Sequence, residues 1–107
     1  RNDPKWEIPI QLRKEIRDLP IICDASHIAG KSDLVEDIAQ TAMDIDLDGL
    51  MIETHDNPTF ALSDADQQIK PKHLNKIITN LVLRDPKLRD KQDSWKSTRT
   101  MIFIYIL

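Results

Sequence analysis

This sequence has little of what marks several common classes of protein. Its single cysteine, Cys23, excludes an internal disulfide framework and fits a reducing cytosol. No apolar run approaches the roughly 20 residues that a membrane-spanning helix requires. The net charge of −3 gives no electrostatic reason to expect nucleic acid as a partner. We therefore expect a cytoplasmic protein that binds neither nucleic acid nor a membrane.

The composition that remains is that of one small folded domain. The chain has 107 residues, of which 40% are hydrophobic and 31% are charged, so it can form a core and a solvated surface. It begins Arg-Asn-Asp-Pro-Lys-Trp, which is neither a signal peptide nor a start at methionine. We therefore expect a fragment of a longer protein.

Two short apolar runs, residues 21–24 and 50–53, are separated by one amphipathic stretch. In that stretch two apolar rows with a spacing of four residues predict a helix that covers a sheet. The rows are Leu34, Ile38, Ala42 and Val35, Ala39, Met43. Ser32 or Asp33 can cap this helix, and Glu36 stands where a capping box places its glutamate. The order strand, helix, strand predicts a parallel βαβ unit.

A short helix is predicted before this unit. It begins near Pro9 and carries Leu12 and Ile16 on one face, with Arg13 turned outward. It ends before Pro20, because the residue before a proline avoids the helical region.

Another helix is predicted from Pro71 to residues 85–86. Its apolar face is formed by Leu74, Ile77, Ile78, Leu81 and Val82. Residues 25–32 and 54–70 are predicted to be loops, and the length of the second is typical of functional loops.

The last part of the chain differs from the rest. Residues 84–100 are almost wholly polar and are predicted to be a linker. Residues 101–107 form an apolar run without helical or strand-like period, and we assign no role to it. Two predicted strands are too few for a stable parallel sheet. The sequence therefore predicts the last part of a larger α/β barrel, followed by a linker and an apolar tail.

Residues able to bind a metal or move a proton follow both strands. His27 and Glu53 come at the strand ends, where the chemistry of such units is located, and Asp64 lies in the loop that follows. A histidine with two carboxylates suits a divalent ion with open positions, such as Mn²⁺, Fe²⁺ or Co²⁺. Each residue also has a structural alternative: His27 a hydrogen-bonded loop histidine, Glu53 a solvated strand end, and Asp64 a turn or capping aspartate.

Four neighbouring residues have weaker indications. Asp24 can orient His27 or cap the loop, and His55 can support the ligands or be simply exposed. Cys23 lies in an apolar strand and is expected to belong to the core. Lys31 is expected to be solvated.

Three segments resemble the 3-deoxy-D-arabino-heptulosonate 7-phosphate (DAHP) synthases. Residues 19–31, Leu-Pro-Ile-Ile-Cys-Asp-Ala-Ser-His-Ile-Ala-Gly-Lys, resemble the family segment LPIxxDPSHxxGxR/K. Residues 48–55 resemble DGLMIExH, and residues 57–68 resemble NPxxALSDxxQQ. The resemblance covers about residues 1–83 and keeps the order and spacing of all three segments.

The resemblance implies the last two βα units of a (β/α)₈ TIM barrel. Residues 1–83 would hold the end of helix 6, strand 7, helix 7, strand 8 and helix 8, and residues 84–107 the linker and apolar tail. It also implies that His27, Glu53 and Asp64 are three of four metal ligands. The fourth, a cysteine, and the cationic substrate-binding residues would lie upstream of this sequence. Ala25 replaces the usual proline and is expected to loosen the loop that presents His27.

The family reaction is the metal-dependent condensation of phosphoenolpyruvate with erythrose 4-phosphate, the first step of the shikimate pathway to aromatic amino acids. The resemblance further implies His27 and Glu53 as catalytic residues and a homo-oligomeric full-length enzyme. In the nearest branch a chorismate mutase is often fused. Two alternatives stay open: a 3-deoxy-D-manno-octulosonate 8-phosphate synthase, or an inactive truncated fragment. We expect the isolated 107-residue chain to be inactive.

Overall fold

The protein contains a small parallel sheet with helices packed against it. The computed structural model describes residues 3–57, residue 66, residues 68–83 and the backbone of residues 101–106. The strands are β1 (Ile22–Asp24), β2 (Gly49–Thr54) and β3 (Met101–Ile106), in the order β1-β2-β3. The helices are α1 (Glu7–Glu15), α2 (Ala25–Ala29), α3 (Val35–Asp44) and α4 (Pro71–Asn80), with a short 3-10 helix at Ser32–Leu34.

The predicted βαβ unit is present, with β1 and β2 parallel and α3 between them in sequence. Ile22 lies opposite Gly49, and Asp24 lies opposite Met51. On β2 every residue from Gly49 to Thr54 is buried except Met51, which is half-buried. Such continuous burial is expected of a parallel strand that is covered on both faces.

Helix α3 contributes the apolar stripe that its sequence predicts. Val35, Ala39, Ala42 and Met43 are buried, and they belong to the same core cluster as the two strands. The predicted cap is wrong, however. A 3-10 turn precedes the helix, and neither its first residue nor that of α3 is capped by a side chain.

The segment after β1 is helical, which corrects the predicted loop at residues 25–32. Helix α2 starts directly at Ala25, because the Asp24 carboxylate caps it by accepting a hydrogen bond from the His27 N–H at 3.1 Å. Gly30 ends it in the left-handed conformation, with φ of 69°. Ala25, the first residue of this helix, is fully buried. The effect of an alanine in place of proline on the segment that presents His27 stays a prediction.

Helix α4 is shorter than predicted, because its C-terminal side is bonded to α3. The backbone turns extended at Leu81, and the Gln40 side chain then bonds Val82 in both directions. Its Nε2 donates to the Val82 oxygen at 3.0 Å, and its Oε1 accepts from the Val82 N–H at 2.9 Å. Leu74 and Ile77 are buried as expected, whereas Ile78 and Val82 are exposed.

The apolar run near the end of the chain forms β3, which the sequence did not predict. Its backbone pairs with the whole of β2, from Gly49 opposite Met101 to Thr54 opposite Ile106. β2 is therefore the central strand of the sheet. None of the helices in the described ranges is long and apolar enough to cross a membrane.

A hydrogen-bonded clamp joins α1 to the start of both β1 and β2. The Arg13 guanidinium donates to Asp48 Oδ2 and to the backbone oxygen of Asp46, both at 2.8 Å. Asp48 Oδ2 also accepts from the Ile21 N–H at 2.8 Å, and the Asp48 N–H donates to the Ile21 oxygen at 2.9 Å. The prediction that Arg13 turns outward is wrong, because its partners lie in a distant turn that the helix period cannot reveal.

We expect Asp48→Ala to lower the free energy of unfolding by about 2–3 kcal/mol, since it leaves two partly buried donors without their acceptor. Urea denaturation followed by circular dichroism measures the loss. Asp33→Ala, an exposed aspartate, is the matched control and should change stability by about 0.5 kcal/mol or less. Equal effects of the two substitutions would contradict the clamp.

Candidate metal centre at the carboxyl edge of the sheet

The candidate site lies where β1 and β2 end side by side. Parallel strands carry their carboxyl ends to one edge of the sheet. Because α2 follows β1 without a connecting loop, His27 sits in the first turn of a helix immediately above that edge. Glu53 is the penultimate residue of β2 at the same edge.

Asp24 holds His27 at two points. Its Oδ1 accepts from the His27 backbone N–H at 3.1 Å, and its Oδ2 lies 2.7 Å from Nδ1 of the imidazole. An ionised carboxylate only accepts hydrogen bonds, so Nδ1 carries the proton in this contact. Of the two roles that the sequence left open for Asp24, the structure shows the contact with His27, and the predicted loop cap is instead the N-cap of helix α2. These two bonds fix the orientation of the imidazole, so that its other ring nitrogen, Nε2, is directed toward Glu53.

The His27 Nε2 atom lies 3.3 Å from Glu53 Oε1. The His27 side chain is 50% exposed, whereas that of Glu53 is only 4% exposed. With the proton on Nδ1, a neutral imidazole turns the Nε2 lone pair toward the Glu53 carboxylate. A lone pair on Nε2 and a carboxylate oxygen repel each other at this distance unless a proton or another cation lies between them. The pair is thus suited to bind a positive charge at a point accessible from solvent.

The distance between the two atoms fits two ligands of one divalent ion. Metal–ligand bonds of about 2.0–2.2 Å place neighbouring ligand atoms about 3.0–3.5 Å apart. A histidine ligand that donates its other ring N–H to a carboxylate is also the usual arrangement around a metal. In the part of the chain that the structure describes, no group of three His, Cys, Asp or Glu residues is arranged to hold an ion. Asp64, the third predicted ligand, lies outside the described residues.

Ser26 is a residue of the site that the sequence analysis missed. It is fully buried, and its Oγ accepts a hydrogen bond from the Glu53 backbone N–H at 2.8 Å. In the sequence, the one indication of a role for Ser26 is its place next to His27, a candidate metal ligand. Serine is a common residue, so this neighbourhood alone does not assign it to the site.

His55 bonds the backbone on both sides of the gap that follows β2 in the described residues. Its Nδ1 accepts from the Asn57 N–H at 3.0 Å, and its own N–H donates to the Ile69 oxygen at 2.9 Å. Residue 69 continues this pairing, since its N–H donates to the Glu53 oxygen and its carbonyl accepts from Thr54 Oγ1. His55 therefore orders the end of the strand that carries Glu53.

Cys23 belongs to the core, as its apolar strand predicted. It is 4% exposed. Burial, with a smaller contribution from the Asp24 carboxylate, raises the pKa of the Cys23 thiol to about 12. The thiolate that metal binding or nucleophilic attack requires is therefore strongly disfavoured.

One protein family matches most of this chain. The sequence profile described as the DAHP synthetase I family matches residues 7–86. The chain belongs to the DAHP synthetase I family. The matched range contains all three predicted ligands, His27, Glu53 and Asp64, and it confirms the resemblance seen in the sequence.

Curated relatives of this member of the DAHP synthetase I family include two kinds of aldolase. A phospho-2-dehydro-3-deoxyheptonate aldolase from Thermotoga maritima is 40% identical over 62 residues, which are 58% of this chain and 18% of the relative. A 2-dehydro-3-deoxyphosphooctonate aldolase from Helicobacter acinonychis is 32% identical over 74 residues, 59% of this chain and 27% of the relative. The corresponding aldolase from Albidiferax ferrireducens is 30% identical over 77 residues. The chain thus spans 18% to 27% of these relatives.

We expect Cys23 to resist a thiol reagent such as dithionitrobenzoate in the folded chain at mildly alkaline pH, because it is buried and its pKa is far above the solution pH. Since it is the single cysteine, the released chromophore reports on this residue alone. The same chain in concentrated guanidinium chloride is the control and should react fully. Rapid reaction under native conditions would show that β1 is open.

Proposed function

We propose that this chain forms the last two βα units of a barrel enzyme that makes DAHP, and that His27, Glu53 and Asp64 are ligands of its divalent metal. The observation that carries the proposal is the contact between His27 Nε2 and Glu53 Oε1 at 3.3 Å, with Asp24 on the far side of the imidazole. The family match over residues 7–86 supports the same assignment.

In the proposed reaction, C3 of phosphoenolpyruvate forms a bond to the aldehyde carbon of an aldose phosphate, whose oxygen becomes a hydroxyl. Water adds at C2 of the phosphoenolpyruvate skeleton, and inorganic phosphate leaves from that carbon. Carbon counting gives the length of the aldose. A seven-carbon heptonate product requires a four-carbon aldose such as erythrose 4-phosphate, and an eight-carbon octonate requires a five-carbon aldose. The two kinds of relative correspond to these two products.

The surroundings of each residue in the site indicate its role in the proposed reaction. A divalent cation, when bound, supplies Lewis-acid polarisation of the aldehyde oxygen. His27 contributes a neutral nitrogen whose direction Asp24 fixes. Glu53 contributes a negative charge at a buried strand end, where little water competes for the positive charge beside it. The solvent-exposed side of His27 leaves room for a substrate to approach.

The four-carbon aldose phosphate is the substrate that the sequence favours. The two kinds of relative match this chain to a similar extent, at 40% identity over 62 residues for the heptonate enzyme and at 32% over 74 and 30% over 77 for the octonate enzymes. The preference rests on the segments around Lys31 and Gln68, which resemble the heptulosonate enzymes more closely. The octonate reaction is the second candidate, because several of the relatives carry that name.

We expect the 107-residue chain to bind Co²⁺. Each of the substitutions His27→Ala, Glu53→Gln and Asp64→Asn should weaken this binding by about 100-fold. Removing a residue that only hydrogen-bonds to a metal ligand already costs up to about that much affinity. Calorimetry and the visible absorption of bound Co²⁺ measure the affinity and the ligand geometry.

His73→Ala is the matched control for the metal titration, since it removes a histidine from α4. It should leave the Co²⁺ affinity unchanged. If the His27 and His73 variants lose affinity equally, the binding is non-specific and the metal assignment is wrong. If only Asp64→Asn is silent, the third ligand is another residue.

Two chimaeras test the reaction and its substrate. Residues 7–83 replace the matching segment in the Thermotoga maritima heptonate aldolase and, separately, in the Helicobacter acinonychis octonate aldolase. We expect metal-dependent phosphate release in the heptonate host with the four-carbon aldose phosphate. His27→Ala within the active chimaera should lower the rate by about 100-fold or more.

The pair of hosts decides between the two candidate reactions. Activity in the octonate host alone would favour the five-carbon substrate. If both chimaeras fold, as judged by circular dichroism, and neither is active, this segment does not carry a working site. The His73→Ala chimaera again serves as the control and should retain the activity of its parent.

A further inference from the structure

We propose that Ser26 is a positioning residue that fixes Glu53 relative to His27. The inference rests on the proposed metal site, because it assigns a role to a residue that touches neither a substrate nor an ion. It starts from the point where the backbone pairing between β1 and β2 stops.

The regular pairing of β1 with β2 ends two residues before Glu53. Asp24 opposite Met51 is the last pair, and the same register continued would place Ser26 opposite Glu53. The chain instead enters α2 at Ala25, and the Ser26 carbonyl accepts the helical hydrogen bond from the Gly30 N–H at 3.0 Å. A helix advances about 1.5 Å per residue and a strand about 3.3 Å, so the two backbones no longer keep step.

The Ser26 hydroxyl replaces the missing backbone acceptor. The Glu53 N–H donates to Ser26 Oγ at 2.8 Å, as a normal ladder bond would do with a carbonyl. Ser26 is fully buried and Glu53 is 3% exposed, so water does not compete for this bond. The same burial excludes Ser26 as a nucleophile toward a substrate.

This single bond connects the two members of the candidate site. Ser26 precedes His27 in the first turn of α2, and its hydroxyl holds the backbone of Glu53. Asp24 holds His27 from the other side through both its backbone N–H and its ring. The segment Asp24 to Ser26 thus makes two bonds to His27 and one to Glu53, and these bonds set the separation of 3.3 Å between His27 Nε2 and Glu53 Oε1.

The test compares Ser26→Ala, which removes the acceptor, with Ser26→Thr, which keeps a hydroxyl. Nuclear magnetic resonance on the 107-residue chain follows hydrogen exchange at the Glu53 amide, with the Met51 and Ile52 amides as internal references. We expect exchange at Glu53 to accelerate about tenfold or more in Ser26→Ala while the reference amides change little. Ser26→Thr should restore slow exchange.

The matched control is Ser32→Ala, since the described bond of Ser32 is made by its backbone N–H to the Asp66 oxygen. It should leave the Glu53 amide unchanged. Equal acceleration at Glu53, Met51 and Ile52 in Ser26→Ala would reveal a general loss of stability and overturn the positioning role. Unchanged exchange at Glu53 would overturn it as well.

A Co²⁺ titration of the same variants separates this inference from the proposed function. We expect Ser26→Ala to weaken Co²⁺ binding by about tenfold, as loss of an outer partner does, and Ser26→Thr to retain it. If the parent chain binds no Co²⁺, the proposed metal site is wrong, and the exchange data still decide whether Ser26 holds Glu53. If Co²⁺ binds equally to the parent and to Ser26→Ala, Ser26 does not position the ligands.

Discussion

The Asp48 carboxylate fixes where β1 starts relative to β2, and the arrangement at the opposite edge depends on that register. The carboxylate accepts a hydrogen bond from the Ile21 N–H, just before β1, and another from the Arg13 guanidinium. Asp48 itself immediately precedes Gly49, the first residue of β2. A slip of one residue between paired strands turns each side chain to the other face of the sheet. Glu53 could then no longer reach His27. A clamp at the amino ends of the strands therefore sets the chemistry at their carboxyl ends.

The charges at that edge explain why the pair is built from one exposed and one buried residue. A carboxylate that is almost completely buried is costly unless a positive charge or hydrogen-bond donors accompany it. Glu53 lies within reach of His27 Nε2, and His27 in turn is held by Asp24. Half of the His27 side chain is open to solvent, so a proton or a metal ion can reach the pair from the solution. The site thus combines the buried carboxylate of Glu53 with the solvent-accessible imidazole of His27.

Local patterns in the sequence predicted the strands and the helix whose positions depend on nearby residues. The apolar runs located β1 and β2, and the spacing of Val35, Ala39 and Met43 located α3. Patterns failed where distant contacts decide the structure. Gln40 bonds Val82, which is 42 residues away in sequence, where α4 has ended. Arg13 is partly buried by its bonds to a turn that is 33 to 35 residues away. No helix or strand period contains such information.

The same distinction applies within the site. His27 and Glu53 could be selected from their positions after strands, but Ser26 could not, because its role appears only when the ladder between β1 and β2 is broken by α2. Helix α2 itself follows from a local signal, the Asp24 cap, but Gly30 lies so close behind it that the sequence pattern favours a loop. A five-residue helix is too short for its period to be recognised, and its ends must be inferred from caps alone.

The two members of the pair differ in how firmly the backbone holds them, and this difference has a chemical consequence. Glu53 belongs to the central strand, with its N–H bonded to Ser26 and its carbonyl bonded to the Ile69 N–H. His27 belongs to a short helix, and the Asp24 carboxylate bonds both its backbone N–H and its ring. In the metal site proposed above, the sheet would therefore set the position of the Glu53 carboxylate, and the Asp24 side chain would set the direction of His27 Nε2.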